Sequence, residues 1–329
     1  MDKELSDLVQ AACRGERIGR EEGLFLAERA GQEELLDGAN EVRRAHAGDV
    51  VSLCAIANAR SGRCQEDCAF CAQSAHHSTD APTYELRPAR ELVDAARRAR
   101  DLGADAFGLV TSGRALSAAD FGSLVDSARA VRDEAHIEVH VSVGSLSAGD
   151  VRRLSAAGVA GVNHNLETSE RFFPSICTTH AWAGRVRCVE TALGEGMAVC
   201  SGGIFGLGET WADRVDLLLA LRGLGIRRVP VNFLTPIPGT PLGSRAPLSA
   251  AEGLRILALA RLLMPEALVR TCGGRELVLG DEQPRMFHAG ASGTMLGEYL
   301  TTPGRPAHED IAMIAALGLT TVARLRGAS

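Results

Sequence analysis

Three cysteines, at positions 64, 68 and 71, stand in the stretch "SGRCQEDCAFCAQS" (61–74) with the spacing C-x3-C-x2-C. A set of thiols this close in one segment is a metal-ligand pattern, and three kinds of site are open to it. A structural zinc site wants four protein ligands, usually as two paired knuckles. No fourth cysteine stands nearby, so His76 or His77 would have to complete it. A two-cluster ferredoxin run needs C-x2-C-x2-C-x3-C-P, which is absent. Three thiolates on a [4Fe–4S] cluster leave one iron without a protein ligand. Such an open position marks a catalytic rather than a structural metal site.

Nine cysteines occur in all, at 13, 54, 64, 68, 71, 177, 188, 200 and 272. The odd count, and an acidic N-terminus ("MDKELSDLVQ") with no apolar h-region, argue against a disulfide framework. Two further stretches carry groups suited to binding. In "VNHNLETS" (162–169), Asn163, Asn165 and Glu167 alternate, and on a strand residues i, i+2 and i+4 share a face. Two amides and a carboxylate offer both donors and acceptors. In "GGIFGLGE" (202–209), Gly202, Gly203 and Ile204 lead from a strand pattern into a helix pattern. Glycines there permit close backbone approach, to a ligand or in a tight turn.

The elements that must hold these residues come from a chain of 329 residues, long enough for two ordinary domains or one large α/β barrel. Aromatics are only 4% against 46% hydrophobic residues, so the core is built from Ala, Leu and Val, which suits buried parallel strands. Strand patterns fall at 50–56, 105–111, 136–143, 158–166, 197–203, 227–234, 267–272 and 292–297. Helix-like stretches such as "ARELVDAARRARDLGA" and "TWADRVDLLLALRGLG" separate most of them and close at Gly. Eight such units predict an α/β fold, a (β/α)8 TIM-type barrel; a doubly wound open sheet is the weaker alternative. Residues 1–47 read as an N-terminal helical extension, 48–318 as the barrel and 319–329 as a C-terminal tail. A net charge of −6 without a dense Lys/Arg tract argues against nucleic acid as a partner. No apolar run reaches about 18 residues, so no membrane span is expected, and a soluble, cytoplasmic protein is.

The C-x3-C-x2-C motif with an aromatic, Phe70, before its last cysteine resembles the radical S-adenosylmethionine (SAM) superfamily. Further stretches resemble the biotin synthase family: "VNHNLETS", "CSGGIFGLGE" (200–209), "VNFLTPIPGTPL" (231–242), "VRTCGGRE" (269–276) and "GEYLTTPG" (297–304). The resemblance runs from about residue 48 to 318. It implies that Cys64, Cys68 and Cys71 hold [4Fe–4S] and that SAM chelates the open iron. Asn165, Glu167, Phe70, Gly202, Gly203 and Ile204 would surround SAM, and Asn163 and Asn232 would hold the ureido group of dethiobiotin. Glu167 stands where the family carries Asp. A flavodoxin or ferredoxin as electron donor, and a homodimer, are implied by the same resemblance.

One part of the family pattern is missing. Its members usually hold a second cluster, [2Fe–2S], on three cysteines and an arginine and consume it as the sulfur source. Those positions read Gly108, His140, Cys200 and Arg270 here, so two of the three cysteines are lost. Cys54, Cys177 and Cys272 are extra, and with Cys200 they make a candidate four-thiolate set for a different auxiliary cluster, four-iron, as sulfur donor. His140 and Arg270 are reserve ligands. Cys13 and Cys188 read as small hydrophobes. The implied reaction is sulfur insertion converting dethiobiotin to biotin. The alternatives are a related radical SAM enzyme, a hydrogenase-cofactor maturase or a methylornithine synthase-like mutase, and a non-catalytic iron–sulfur sensor.

Overall fold

The computed structural model describes residues 2–297 and 299–327. Three helices come first: α1 (Lys3–Cys13), α2 (Arg20–Glu28) and α3 (Gln32–Ala47). Strand and helix then alternate through β1 (Val50–Arg60), α4 (Ala89–Asp101), β2 (Ala106–Thr111), α5 (Ala118–Ala135), β3 (Glu138–Ser142), α6 (Ala148–Ala156) and β4 (Gly161–Asn163). The second half continues with α7 (Trp182–Gly194), β5 (Ala198–Cys200), β6 (Gly203–Phe205), α8 (Trp211–Gly223), β7 (Arg228–Phe233), α9 (Ala250–Leu263) and β8 (Leu268–Thr271). It closes with α10 (Arg275–Leu279), α11 (Arg285–His288), β9 (Gly293–Met295), α12 (Ala307–Ala316), β10 (Thr320–Thr321) and α13 (Val322–Gly327).

All the strand pairings are parallel, and β9 pairs back onto β1, which closes a ring. β5 and β6 occupy one stave: β7 pairs β5 at Cys200 and β6 at Gly203 to Phe205. The (β/α)8 barrel is therefore the architecture. Some strand expectations were too long. The 158–166 and 292–297 patterns each yield only three strand residues, and the 197–203 pattern breaks around Gly202, where a Cβ would lie 2.0 Å from the Pro230 carbonyl oxygen. β10 pairs with β1 at Val50 and Val51, outside the ring.

Alternation along each strand sorts the residues. Leu53, Phe107, Leu109, Val139, Val141, Val199, Val229 and Val269 pack outward against the helices, while Cys54, Gly108, His140, Cys200, Arg270 and Cys272 line the interior. The helices start where the sequence supplies a cap: Ser117, Ser147, Thr210 and Ser249 each accept a hydrogen bond from the backbone N–H three residues on. The N-terminal helices lie against α8 and α9. Arg255 of α9 holds the α2–α3 turn through the carbonyls of Leu26 and Ala30.

Candidate active site

The segment after β1 folds back on itself. Cys64 N–H donates to the Gln73 carbonyl (3.0 Å), Ala75 N–H to the Cys64 carbonyl (2.7 Å), and Cys71 N–H to the Cys68 carbonyl (2.9 Å). His77 is taken up in the loop, its Nε2 3.1 Å from the Cys68 carbonyl oxygen. These bonds bring Cys64, Cys68 and Cys71 to one cavity of about 320 Å³ at the C-terminal end of the barrel. Cys71 is pushed up to about 11, by burial first, with Cys64 and Glu167 adding to it. Cys68 is raised too, through its contact with Cys177 and by burial. Neutral thiols crowded with a carboxylate fit a site that a cation completes, since metal binding expels their protons.

The opposite wall comes from β4 and the segment leading out of it. Asn163, Asn165 and Glu167 all face this cavity. Strand alternation accounts for Asn163, and Asn165 lies two residues past the end of β4. Glu167 lies past the strand with φ +70° and reaches the same space from a left-handed backbone. Backbone bonds from Leu166 N–H to the Gly202 carbonyl and from Ile204 N–H to the Glu167 carbonyl (3.0 and 2.9 Å) fasten this segment to the β5–β6 junction. A Cβ on Gly203 would stand 2.4 Å from the Glu167 carbonyl oxygen, so glycine is required there. Gly202, Gly203 and Ile204 thus flank the wall rather than line either cavity; Ile204 packs with Phe70 in a small apolar cluster around Cys68 and Phe173.

Sequence reasoning overlooked Arg185, His180 and His164, which line the same cavity. Arg185 Nη1 stands 3.5 Å from Glu167 Oε1 and donates to the Asn165 carbonyl (2.8 Å). Burial raises the Glu167 carboxyl, and Arg185 opposes that rise. His164 is pushed down to about 3 by burial and by the Arg185 and His180 charges, so it is neutral. No local pattern announces these three. Arg185 comes from the first turn of α7, and only the fold turns it inward.

A second cavity of about 150 Å³ lies deeper in the barrel. It shares Val110, Ser142, Asn163, Asn165 and Leu300 with the first, so the two adjoin. Asn232 of β7 lines it, accepting from Gly273 N–H (3.1 Å) and donating to the Gly203 carbonyl (3.2 Å). Asn163 Oδ1 is buried and, among the described residues, has no hydrogen-bond partner.

Three of the four auxiliary cysteines converge here. Cys54, Cys200 and Cys272 line this cavity with Arg270 and His140. Burial pushes Cys200 up to about 11, with Arg270 pulling the other way, and raises Cys54 and Cys272 as well. Burial works against the Arg270 charge, but Cys54, Cys200, Cys272 and Asp105 more than reverse it. Arg270 donates through Nη2 to Ser52 Oγ (2.6 Å), and its buried Nε has no partner among the described residues. Three buried thiols around one guanidinium fit an anionic iron–sulfur cluster. His140 Nε2 is engaged 2.8 Å from Glu138 Oε1 and 2.8 Å from Arg228 Nη1, which leaves Nδ1 as its free nitrogen.

The fourth expected member of that set is not there. Cys177 sits beside the first cavity, its Sγ 3.9 Å from Cys68 Sγ, because Ala69 N–H donates to the Ile176 carbonyl (2.8 Å) and pins the segment after β4 to the cysteine loop. The four-thiolate grouping is corrected to three thiolates. Cys188 is buried in α7, as a packing residue should be, and Cys13 is half-buried in α1.

Residues 59–221 match the Radical SAM superfamily, and residues 230–320 match the Biotin and Thiamin Synthesis associated domain. The chain is 44% identical to a biotin synthase of Syntrophotalea carbinolica over 97% of this chain and 99% of that one. It is 46% identical to one of Nitratidesulfovibrio vulgaris over 88% and 82%. Among solved structures, a methylornithine synthase superposes with a TM-score of 0.82 at 18% identity, covering 96% of this chain and 97% of that one. The FeFe-hydrogenase maturase of Carboxydothermus hydrogenoformans gives 0.81 at 19%, covering 97% and 79%. These two share the fold; the sequence relatives decide the family. With both cavities, their thiols and these relatives in view, the chain belongs to the biotin synthase family of radical SAM enzymes.

Proposed function

We propose that this chain converts dethiobiotin to biotin with an auxiliary four-iron cluster as sulfur donor, held by Cys54, Cys200 and Cys272. Arg270 lies beside that cluster, and His140 Nδ1 or a non-protein ligand completes it. Cys64, Cys68 and Cys71 hold [4Fe–4S]. Asn165 and Glu167, steadied by Arg185, face SAM, with Phe70, Gly202, Gly203 and Ile204 forming the shelf behind. When bound, SAM on its cluster supplies hydrogen abstraction from an unactivated carbon, and the auxiliary cluster supplies sulfide. The protein's own part is orientation and exclusion of water. Asn163 and Asn232 hold the ureido ring between the two cofactors.

The observation that carries this reading is the unpartnered Asn163 Oδ1 where two adjoining cavities meet, each with its own thiol triad. A buried acceptor left unpaired costs about 1–3 kcal/mol, and a ureido N–H satisfies it. A low-potential donor such as flavodoxin or ferredoxin delivers the electron, and the chain works as a cytoplasmic homodimer; family membership supports both. Among the described residues no helix is long and apolar enough to cross a membrane.

The test is anaerobic reconstitution, then dethiobiotin, SAM and reductant, with biotin and auxiliary sulfide monitored by mass spectrometry and sulfide assay. Cys54→Ala, Cys200→Ala and Cys272→Ala are each expected to lose auxiliary iron and biotin while still releasing deoxyadenosine; Cys177→Ala keeps the auxiliary iron. Full auxiliary iron in all three barrel variants would sink the assignment.

A further inference from the structure

Cys177 is left without a part in the auxiliary site, and its surroundings are not those of a packing cysteine. Its Sγ lies 3.9 Å from Cys68 Sγ, 3.2 Å from His180 Nδ1 and 3.9 Å from His180 Nε2. The ligand atoms of Cys68, Cys177 and His180 all fall within 4.8 Å of one another. A tetrahedral ion with metal–sulfur bonds of about 2.3 Å and metal–nitrogen bonds of about 2.0–2.1 Å sets its ligands about 3.8 Å apart sulfur to sulfur and about 3.6 Å apart sulfur to nitrogen. The sulfur–sulfur separation of 3.9 Å is close to the first edge, and the 3.2 Å from Cys177 Sγ to Nδ1 is somewhat shorter than the second.

The surrounding groups decide which ring nitrogen faces the thiols. Nδ1 is the nearer to Cys177 Sγ, and Glu66 Oε2, 2.6 Å from it, accepts its hydrogen bond until an ion replaces that proton. Asp67 Oδ1, 3.2 Å from Cys177 Sγ, accepts from the backbone N–H groups of residues 178 and 179 and from Thr179 Oγ1, and so braces the Cys177 segment. Arg185, whose Nε lies 3.1 Å from His180 Nε2, keeps its bond to the Asn165 carbonyl when it yields that contact.

We infer that Cys68, Cys177 and His180 form a mononuclear site for a divalent first-row transition ion, zinc(II) or iron(II), in the cluster-free chain, with solvent as the fourth ligand. Two thiolates and an imidazole are donors such ions take. Cys68 belongs to this site and to the radical SAM triad, so the ion and the [4Fe–4S] cluster exclude each other. Zinc bound here withholds Cys68 and retards cluster assembly; iron(II) bound here stands one ligand away from its place in the cluster. The ion site rests on geometry alone, and only the competition rests on Cys68 as a cluster ligand.

Cobalt(II) is the probe for the site, titrated into the cluster-free full-length chain. Comparing C64A/C71A with C64A/C71A/C177A cancels the barrel thiols, which both variants retain. The first variant is expected to bind about one further cobalt per chain with thiolate-to-cobalt charge-transfer absorption. Identical isotherms for the two cysteine variants overturn the site. Should C177A fail to fold by circular dichroism, His180→Ala in the same background carries the same comparison. For the competition, zinc added before reconstitution is expected to slow [4Fe–4S] assembly in the parent roughly tenfold more than in C177A. Equal slowing in both overturns the sharing of Cys68, and the cobalt result then judges the ion site by itself.

Discussion

Asn163 is one residue whose chemistry can be tested almost alone. Its amide stands opposite Cys200 in register and lines both cavities, yet its Oδ1 has no partner among the described residues. Asn163→Ala deletes this unpartnered acceptor, which the proposed function pairs with substrate. The expected result is a dethiobiotin dissociation constant raised about tenfold, the weight of a buried hydrogen bond, with SAM affinity changed by less than about twofold. Equal losses for both ligands would instead mean that Asn163 holds the wall in shape. At this scale the sequence was informative in an uneven way. Spacing within one loop reported Cys64, Cys68 and Cys71, and alternation reported Asn163 and Asn165. Cys177 was misgrouped because nothing local tells a thiol which of two cavities its segment will border.

Among elements, the join between β4 and α8 carries the site wall. Asp213, at the third position of α8, is buried and accepts from Ser169 Oγ (2.7 Å), from Thr210 N–H (2.9 Å) and from Thr210 Oγ1 (2.6 Å), with Arg171 Nη2 2.6 Å away. Burial alone would raise its carboxyl; the hydrogen bonds and the Arg171 charge more than reverse this and hold it below the ordinary value. A depressed folded-state pKa means stability that is present above about 3.9, the unfolded value, and is lost as pH falls through the folded one. Asp213→Asn is therefore expected to cost about 1–3 kcal/mol in urea unfolding at pH 7, a difference that shrinks on acidification below about pH 4. A constant difference across that range would show that the loss is steric. Thr210 and Asp213 form a capping box within four residues of chain, whereas the Ser169 contact from after β4 spans 44 positions and has no local signature.

For the whole molecule, the barrel is hollow where such barrels are usually filled. Its N-terminal end is closed by polar groups, Glu138 with Arg228 and His140, and Ser52 with Asp105 and Arg270. Reagents therefore enter at the C-terminal face, past Leu300 and the cysteine loop. Groups that bind the folded chain and not the unfolded one stabilise it by mass action. Iron removal by chelation is thus expected to lower the melting temperature by several degrees, about 1 kcal/mol for each 2–4 °C in a chain of this size. Scanning calorimetry of loaded and stripped protein checks it, and coincident melts would place the clusters outside the stabilised core.

What the sequence determined by itself is whatever depends on neighbours in the chain. The period of apolar runs set eight βα units, caps set where α5, α6, α8 and α9 begin, and C-x3-C-x2-C set one iron–sulfur loop. Tertiary structure decided the partners across the barrel. Cys54, Cys200 and Cys272 come from β1, β5 and the residue after β8, and meet only because parallel register turns those strand positions toward one interior. Cys177 left that company for Cys68 through the backbone bond between residues 69 and 176 and the bonds of Asp67 to the N–H groups of residues 178 and 179. Closure of the ring and pairing between distant segments fix such distances, and no periodicity along the chain encodes them.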